Sequence, residues 1–249
     1  MQLTGLPLRA GTALGRVVVD RGDRAVVAAP PGASVDAPSE AGAILCSDSA
    51  SGPWTRPDSK WAGYILGLQR TVSTLVAPTV GGLPCDVFRD ADRVRVNGST
   101  GIVELEGVRE IRVVTSFLER ADGRILLLRR SSAVGSYQGR WAGVSGFLED
   151  PTAEEQARRE ILEETGVGSS ELDLRASGRT VYARDGDRIF SIDPFRFRVA
   201  DPVIRLDWEH TEFAWIAPDE LGRFPTVPQL DRAWRAVAGT TERADRPNP

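Results

Sequence analysis

The chain has 249 residues, 41% of them apolar and 27% charged, and its 31 basic against 35 acidic side chains leave a net charge of −4. That length accommodates two domains, each able to bury a core of its own. The charge balance excludes a general electrostatic footprint for a nucleic acid polymer or an anionic membrane. Cys46 and Cys85 are too few and too isolated for a disulfide framework or a zinc site, so both are expected as free thiols. Met1–Asp20 lacks a basic region followed by an apolar core, and no apolar run approaches the ~18 residues of a membrane span. The expectation is a cytoplasmic protein with no membrane partner.

Residues 1–107 read as short β-runs divided by Gly, Pro and Asp: Arg16–Asp20, Ala25–Ala29, Ala43–Cys46, Arg93–Asn97 and Ile102–Leu105, with a helix near Val72–Ala77. The segment Gly11-Thr12-Ala13-Leu14-Gly15-Arg16-Val17-Val18-Val19, then Gly42-Ala43-Ile44-Leu45, Gly82-Leu83-Pro84 and the closing Asn97-Gly98-Ser99-Thr100-Gly101-Ile102-Val103 carry a resemblance. Together they resemble the mobile, phosphohistidine-bearing swivelling domain of enzymes that use phosphoenolpyruvate. That family works through one histidine, and its place here is held by Ser73, while the only histidine of the chain is His210. A serine hydroxyl does not titrate near neutral pH as an imidazole does. The smaller, β-rich first domain is therefore expected to be non-catalytic: a scaffold, a dimer surface or a substrate lid. Glu106–Arg109 reads as a short junction between packed domains.

From Glu110 the texture changes. Ile111–Glu119 alternates into a strand, Ala121-Asp122-Gly123 is a turn, and Ile125–Arg129 is a buried strand. A loop over Ser131–Arg140 leads to Trp141. After Gly146–Glu149 comes an acidic helix, then a linking stretch over Gly168–Asp173. Arg179–Ala183 and Ile189–Arg198 are strands about the turn Arg184-Asp185-Gly186-Asp187, and Thr211–Ile216 is a further strand. Pro218–Leu221 opens a turn, Val227–Val237 has the pattern of a closing helix, and 240–249 is a polar tail expected to be disordered.

The acidic helix carries the chemistry. Glu160, Glu163 and Glu164 recur at spacings of three and four, so at ~100° per residue their carboxylates share an arc of about 100° on one face. Like charges at that spacing repel and destabilise a helix, and a hard divalent cation that takes oxygen ligands offsets the repulsion. A solvated face with internal ion pairs is the ordinary alternative for such a composition. Arg159 lies one turn before Glu163 and partly neutralises it, and Gly166 supplies the C-terminal cap.

Context favours the cation. Arg159-Glu160-Ile161-Leu162-Glu163-Glu164-Thr165-Gly166-Val167 resembles the second half of the Nudix box, matching it at all seven specified positions. The first half departs from the pattern. Twelve residues separate Gly146 from Arg159, which leaves the loop one residue short, and the loop glutamate of the pattern falls on Pro151. Glu149 remains nearby.

The resemblance covers about half of the chain. It implies an α/β fold, a Nudix-type α/β/α sandwich with a mixed sheet over 108–239, preceded by the swivelling-type domain over 1–107. It further implies a Mg2+- or Mn2+-dependent pyrophosphohydrolase acting on a small nucleotide-type substrate, with a homodimer as the default assembly. By carry-over, Glu160 and Glu164 are metal ligands, Glu163 is a ligand or base, and Arg159 orients the cluster. Asp207-Trp208-Glu209-His210-Thr211-Glu212 resembles a later acidic segment of the family, from which Glu209 or Glu212 supplies a general base or a further ligand. His210 is expected in a surface or hydrogen-bonded structural role, and Trp141 and Trp215 in the core. Tyr137 lies in a loop that reaches a substrate. The shortened loop also fits a second class of function, a non-catalytic Nudix-like binding or regulatory module.

Overall fold

The computed structural model describes residues 1–4, 6–20, 42–47, 63–66, 79–81, 83–90 and 92–239. The strand expected at Ala25–Ala29, the helix near Val72–Ala77 with Ser73, and the tail over 240–249 lie outside the described residues. The chain divides into two units, Met1–Glu110 with Arg184–Ile189, and Ile111–Ala183 with Phe190–Pro249. The change of unit falls after Glu110, where the sequence suggests a junction at 107/108.

The described residues of the first unit contain β1 (Gln2–Thr4), β2 (Leu6–Arg9), β3 (Thr12–Asp20), β4 (Gly42–Ser47), β5 (Gly63–Leu66), β6 (Thr79–Gly81), β7 (Arg93–Asn97) and β8 (Ile102–Leu105). They form one sheet in the order β1-β8-β7-β3-β4-β5-β6-β2. Pairing is parallel from β3 through β6 and antiparallel elsewhere. In β7, Val94 and Val96 are buried while Arg93 and Arg95 face solvent, the period of two that a strand imposes. The turn after β7 is held by Asn97, whose Oδ1 accepts from the backbone N–H of Ser99 and Thr100, both at 3.1 Å.

The two cysteines correct the expectation of free thiols. Cys46 on β4 and Cys85 form a disulfide, with Cα atoms 5.7 Å apart and a sequence separation of 39. Both are buried. Their spacing along the chain gives no hint of this, because only the sheet brings them within bridging distance.

The second sheet is built from β9 (Arg109–Glu119), β10 (Ile125–Arg130), β11 (Trp141–Ala142), β12 (Val144–Phe147), β13 (Asp173–Ser177), β14 (Val181–Asp185), β15 (Arg188–Arg198) and β16 (His210–Ile216). Its spine runs β11-β10-β9-β15-β13, with β12 paired to β9, β14 to β15 and β16 to β10. Helix α1 spans Ala153–Thr165 and α2 spans Leu230–Ala238.

Strand β10 shows why the two helices take opposite faces. Leu126 and Leu128 join Val114, Ala157 and Ile161 in the core under α1. Ile125 and Leu127 join Phe117, Leu230, Ala233 and Val237 in the core under α2. Alternate residues of one strand thus feed two cores, so an apolar run with no polar alternation is what a sheet covered on both faces requires.

Both ends of α1 are fixed locally. Thr152 Oγ1 accepts from the Glu155 backbone N–H at 3.2 Å and Glu155 Oε2 accepts from the Thr152 N–H at 3.1 Å, a reciprocal capping box. At the far end Gly166 takes φ 74° and its N–H returns to Leu162 O, which favours glycine there.

Two boundaries differ from expectation. Helix α2 begins at Leu230, not Val227, because Pro228 biases the residue before it away from helical backbone and Val227 instead donates its N–H to Trp141 O at 2.9 Å. Strand β13 begins where the linking stretch expected over Gly168–Asp173 ends and takes residues to which the sequence assigns no element, since Asp173-Leu174-Arg175-Ala176-Ser177 has few strand-favouring side chains and is held by pairing with β15.

Candidate active site

Helix α1 lies against β12, and the contact is made by a glycine. A Cβ on Gly146 would sit 1.9 Å from Glu160 Oε1 and 2.0 Å from its Cδ, so only a residue without a side chain lets the Glu160 carboxyl into this space. The neighbouring Ser145 donates its N–H to Glu164 Oε1 at 3.4 Å and holds its hydroxyl 3.0 Å from that of Thr115 on β9. The end of β12 and the acidic face of the helix are therefore built against each other.

The three helix carboxylates occupy different environments. Glu163 is exposed, Glu160 is half-buried, and Glu164 is only 3% exposed. Burial, joined by repulsion from Glu163, raises the Glu160 pKa above the ordinary glutamate value, and a hydrogen bond from Gln156 opposes the rise. Burial pushes Glu164 well above that value, with further repulsion from Glu160 and Asp207. Glu164 Oε2 is buried with no hydrogen-bond partner among the described residues. The nearest cationic candidate is His210 Nε2 at 3.8 Å, beyond hydrogen-bond reach.

His210 is buried and not on the surface, with Nδ1 3.0 Å from Asp207 Oδ1. Burial lowers its pKa despite that partner, so the neutral imidazole is favoured. Of the two placements the sequence suggests, surface or hydrogen-bonded, the ring is hydrogen-bonded and buried. Trp141 stands edge-to-face on Phe224 at 5.3 Å and Trp215 packs against the α1-side core, so both serve the interior.

A cavity of about 290 Å³ opens over this face. Its lining includes the carboxylates of Glu149, Glu160, Glu163 and Glu209 beside the Arg159 guanidinium, and the apolar side chains of Val113, Phe147, Phe190 and Ile192. Arg130 and Tyr137 also line it. Tyr137 holds φ 51°, a left-handed conformation uncommon for a side chain of its size. Glu209 is thus brought to the cavity. Glu212 does not line it: on β16 it is the cross-strand partner of Arg129 and forms an ion pair with that guanidinium.

Arg159 is engaged by the shortened loop. Its Nε donates to Asp150 Oδ2 at 3.0 Å, and its Nη2 to Glu149 Oε2 at 3.3 Å and to Gln156 Oε1 at 2.9 Å. Pairing with Glu149 raises its pKa, and the charge persists throughout the working range. Two loop acids thus hold the arginine although Pro151 occupies the place of the pattern's glutamate. Arg130 and Gln156 belong to no motif that the sequence displays. For Gln156 the signal is a polar residue beside Ala157 and Ile161 on the buried stripe of α1, which also holds Glu164 and Thr165.

A divalent cation suits these residues. The donors are all carboxylate oxygens, one buried oxygen lacks a partner, and the glycine opposite Glu160 leaves room that a Cβ would fill. Among the described residues no three acidic, histidine or cysteine side chains converge into a ready-made cage. Mg2+ keeps several waters and is commonly held by one or two carboxylates together with substrate phosphates.

A mixed sheet covered by a helix on each face, with one acidic helix set on a glycine-bearing strand end, defines a layered α/β domain. The NUDIX domain family model matches residues 109–237, and the chain belongs to that family. No curated protein matches the chain significantly. Similar solved structures include the MutT protein of Methanosarcina mazei Go1, 22% identical over 54% of this chain and 96% of its own, with a TM-score of 0.46. The ORF135 protein of E. coli is 28% identical over 57% of this chain and 99% of its own, with a TM-score of 0.43. The dihydroneopterin triphosphate pyrophosphohydrolase of E. coli is 20% identical over 52% of this chain and 96% of its own, with a TM-score of 0.43. The family match begins at residue 109, and no comparison supports the swivelling-domain resemblance of the N-terminal half. No helix among the described residues is long and apolar enough to cross a membrane.

Proposed function

We propose that this chain is a Nudix hydrolase that cleaves the pyrophosphate bond of a small, nucleoside diphosphate-linked substrate with the help of Mg2+ or Mn2+. The observation that carries the reading is the placing of Glu160 and Glu163 on the wall of the cavity, with Glu164 buried on the same helix, one of its oxygens unpartnered. When bound there, such a cation neutralises closely spaced phosphate charge and lowers the pKa of a water.

The chain's own groups do the rest. Glu160, Glu163 and Glu164 would hold the cation through oxygen. Glu163, exposed on the cavity wall, would also take a proton from an attacking water, and Glu209 is a second carboxylate lining the same cavity. Arg159 holds loop and helix together through Glu149 and Asp150, so that the glutamates keep their orientation. Arg130 offers a guanidinium to a phosphate oxygen. The apolar wall, with Phe147 and Phe190, accepts the less polar part of the substrate. In this reading the protein works in the cytoplasm, an expectation that the Cys46–Cys85 bridge opposes.

The second reading, a binding module without catalysis, draws its support from the shortened loop. The contacts of Arg159 with Glu149 and Asp150 weaken that support, because the loop closes onto the helix despite the missing residue. Release of phosphate or nucleotide separates the two. Nucleotide sugars, dinucleoside polyphosphates, ADP-ribose, NADH and nucleoside triphosphates are incubated with the chain and Mg2+ or Mn2+. Turnover that Glu163→Gln lowers by about 100-fold or more supports the enzyme. Binding of a panel member without turnover supports the module.

A further inference from the structure

Gln156 is fully buried on α1, and both its amide oxygen and its amide nitrogen are engaged. Its Oε1 accepts the backbone N–H of Glu149 at 2.8 Å and of Asp150 at 2.9 Å, and the Arg159 Nη2 at 2.9 Å. Its Nε2 donates to Glu160 Oε1 at 2.5 Å. One carbonyl oxygen thus gathers the motif loop and the arginine, and the opposite end of the same amide grips the carboxylate one turn further along the helix. A buried amide satisfied in this way is rigid, since loss of any partner leaves a polar group stranded in the core.

The loop held by Gln156 is the one that is a residue shorter than the family pattern. Two consecutive backbone N–H groups converging on one side-chain oxygen draw the chain tightly onto the start of the helix, as a shorter connection requires. The Glu160 oxygen gripped by Nε2 is also the one facing Gly146. Its carboxyl is therefore fixed from two sides, by the space the glycine leaves and by the hydrogen bond the glutamine supplies.

We infer that Gln156 is a positioning residue: it sets the orientation of the Glu160 carboxylate and couples it to the shortened loop and Arg159. The function of that orientation rests on the reading of Glu160 as a cation-holding group. The contact itself does not.

Two measurements on the full chain decide it, using Gln156→Met, Glu160→Gln and their combination. The affinity for Mn2+, read from the electron paramagnetic resonance signal of the free ion, should fall by about tenfold for Gln156→Met when Glu160 is present. It should change by less than about twofold when Glu160 is already glutamine. An equal fall in both backgrounds, or none, overturns the inference. Should Gln156→Met fail to fold, Gln156→Glu keeps the acceptor oxygen for the loop and loses the donor to Glu160. A similar loss of Mn2+ affinity then supports the inference, and wild-type affinity overturns it. Should the wild-type chain bind no Mn2+, the functional reading falls and the thermal midpoints of the same variants in EDTA decide the contact. Non-additive midpoints support positioning of Glu160 by Gln156, and additive ones overturn it.

Discussion

A carboxyl group sealed into a protein without a donor for one of its oxygens is unstable when charged, and Glu164 is in that position. Its folded-state pKa is raised, so the metal-free folded chain binds this proton more tightly than the unfolded chain does. The resulting stabilisation is fully present below the ordinary glutamate range and is lost as pH rises through the raised value. In EDTA the thermal midpoint should therefore fall on going from about pH 5 to about pH 8. Glu164→Gln should raise the midpoint at the upper end and leave a shallower slope, with Glu160, raised in the same direction, still contributing. Parallel curves for the two proteins would show that Glu164 is not the source. Glu163 behaves differently because it is exposed: Glu163→Gln should leave the midpoint within experimental error while removing about 100-fold or more of turnover. A drop in turnover matched by a drop in folded fraction would assign Glu163 to stability.

The acidic helix and the end of β12 form one device, and Gly146 is its hinge of tolerance. Gly146→Ala puts a methyl group within the Glu160 carboxyl, so that the carboxyl must move. Displacement of a catalytic group by about 1 Å can cost about 100-fold in rate, and a loss of that order, read as kcat at saturating cation, is expected. Full activity would mean that the Glu160 position is unimportant. Thr152→Ala, by contrast, removes a cap and should lower stability by about 1 kcal/mol with little effect on turnover, as denaturant unfolding would report. These elements were legible in the sequence because their signals are local: the closing glycine of α1, the apolar run of β10 and the short β-run of β7. Strand β13 and the start of α2 were not legible, since one is imposed by pairing with β15 and the other by a proline. The placing of Glu209 in the cavity and of Glu212 outside it depends on which side chain of the segment answers Arg129 across the sheet. Gln156 gives almost no signal, because its partners are backbone groups of a loop whose path the sequence does not state.

On the scale of the whole molecule, the Nudix domain occupies about half of the chain and the β-rich unit before it has no assigned activity. The Cys46–Cys85 bridge belongs to that unit. Disulfides persist chiefly in oxidising environments, which stands against the free thiols expected of a cytoplasmic chain. Thiol titration of the denatured, unreduced protein should find no free thiol, and two after reduction. Two before reduction would contradict the bridge. The central claim concerns the other unit: that Glu160, Glu163 and Glu164 hold a divalent cation over the cavity. Anomalous scattering from a crystal soaked in Mn2+ tests it most directly. The account predicts a manganese peak within coordination distance of these carboxylates. Density showing their oxygens engaged only by arginine or water, with no manganese beside them, would contradict it.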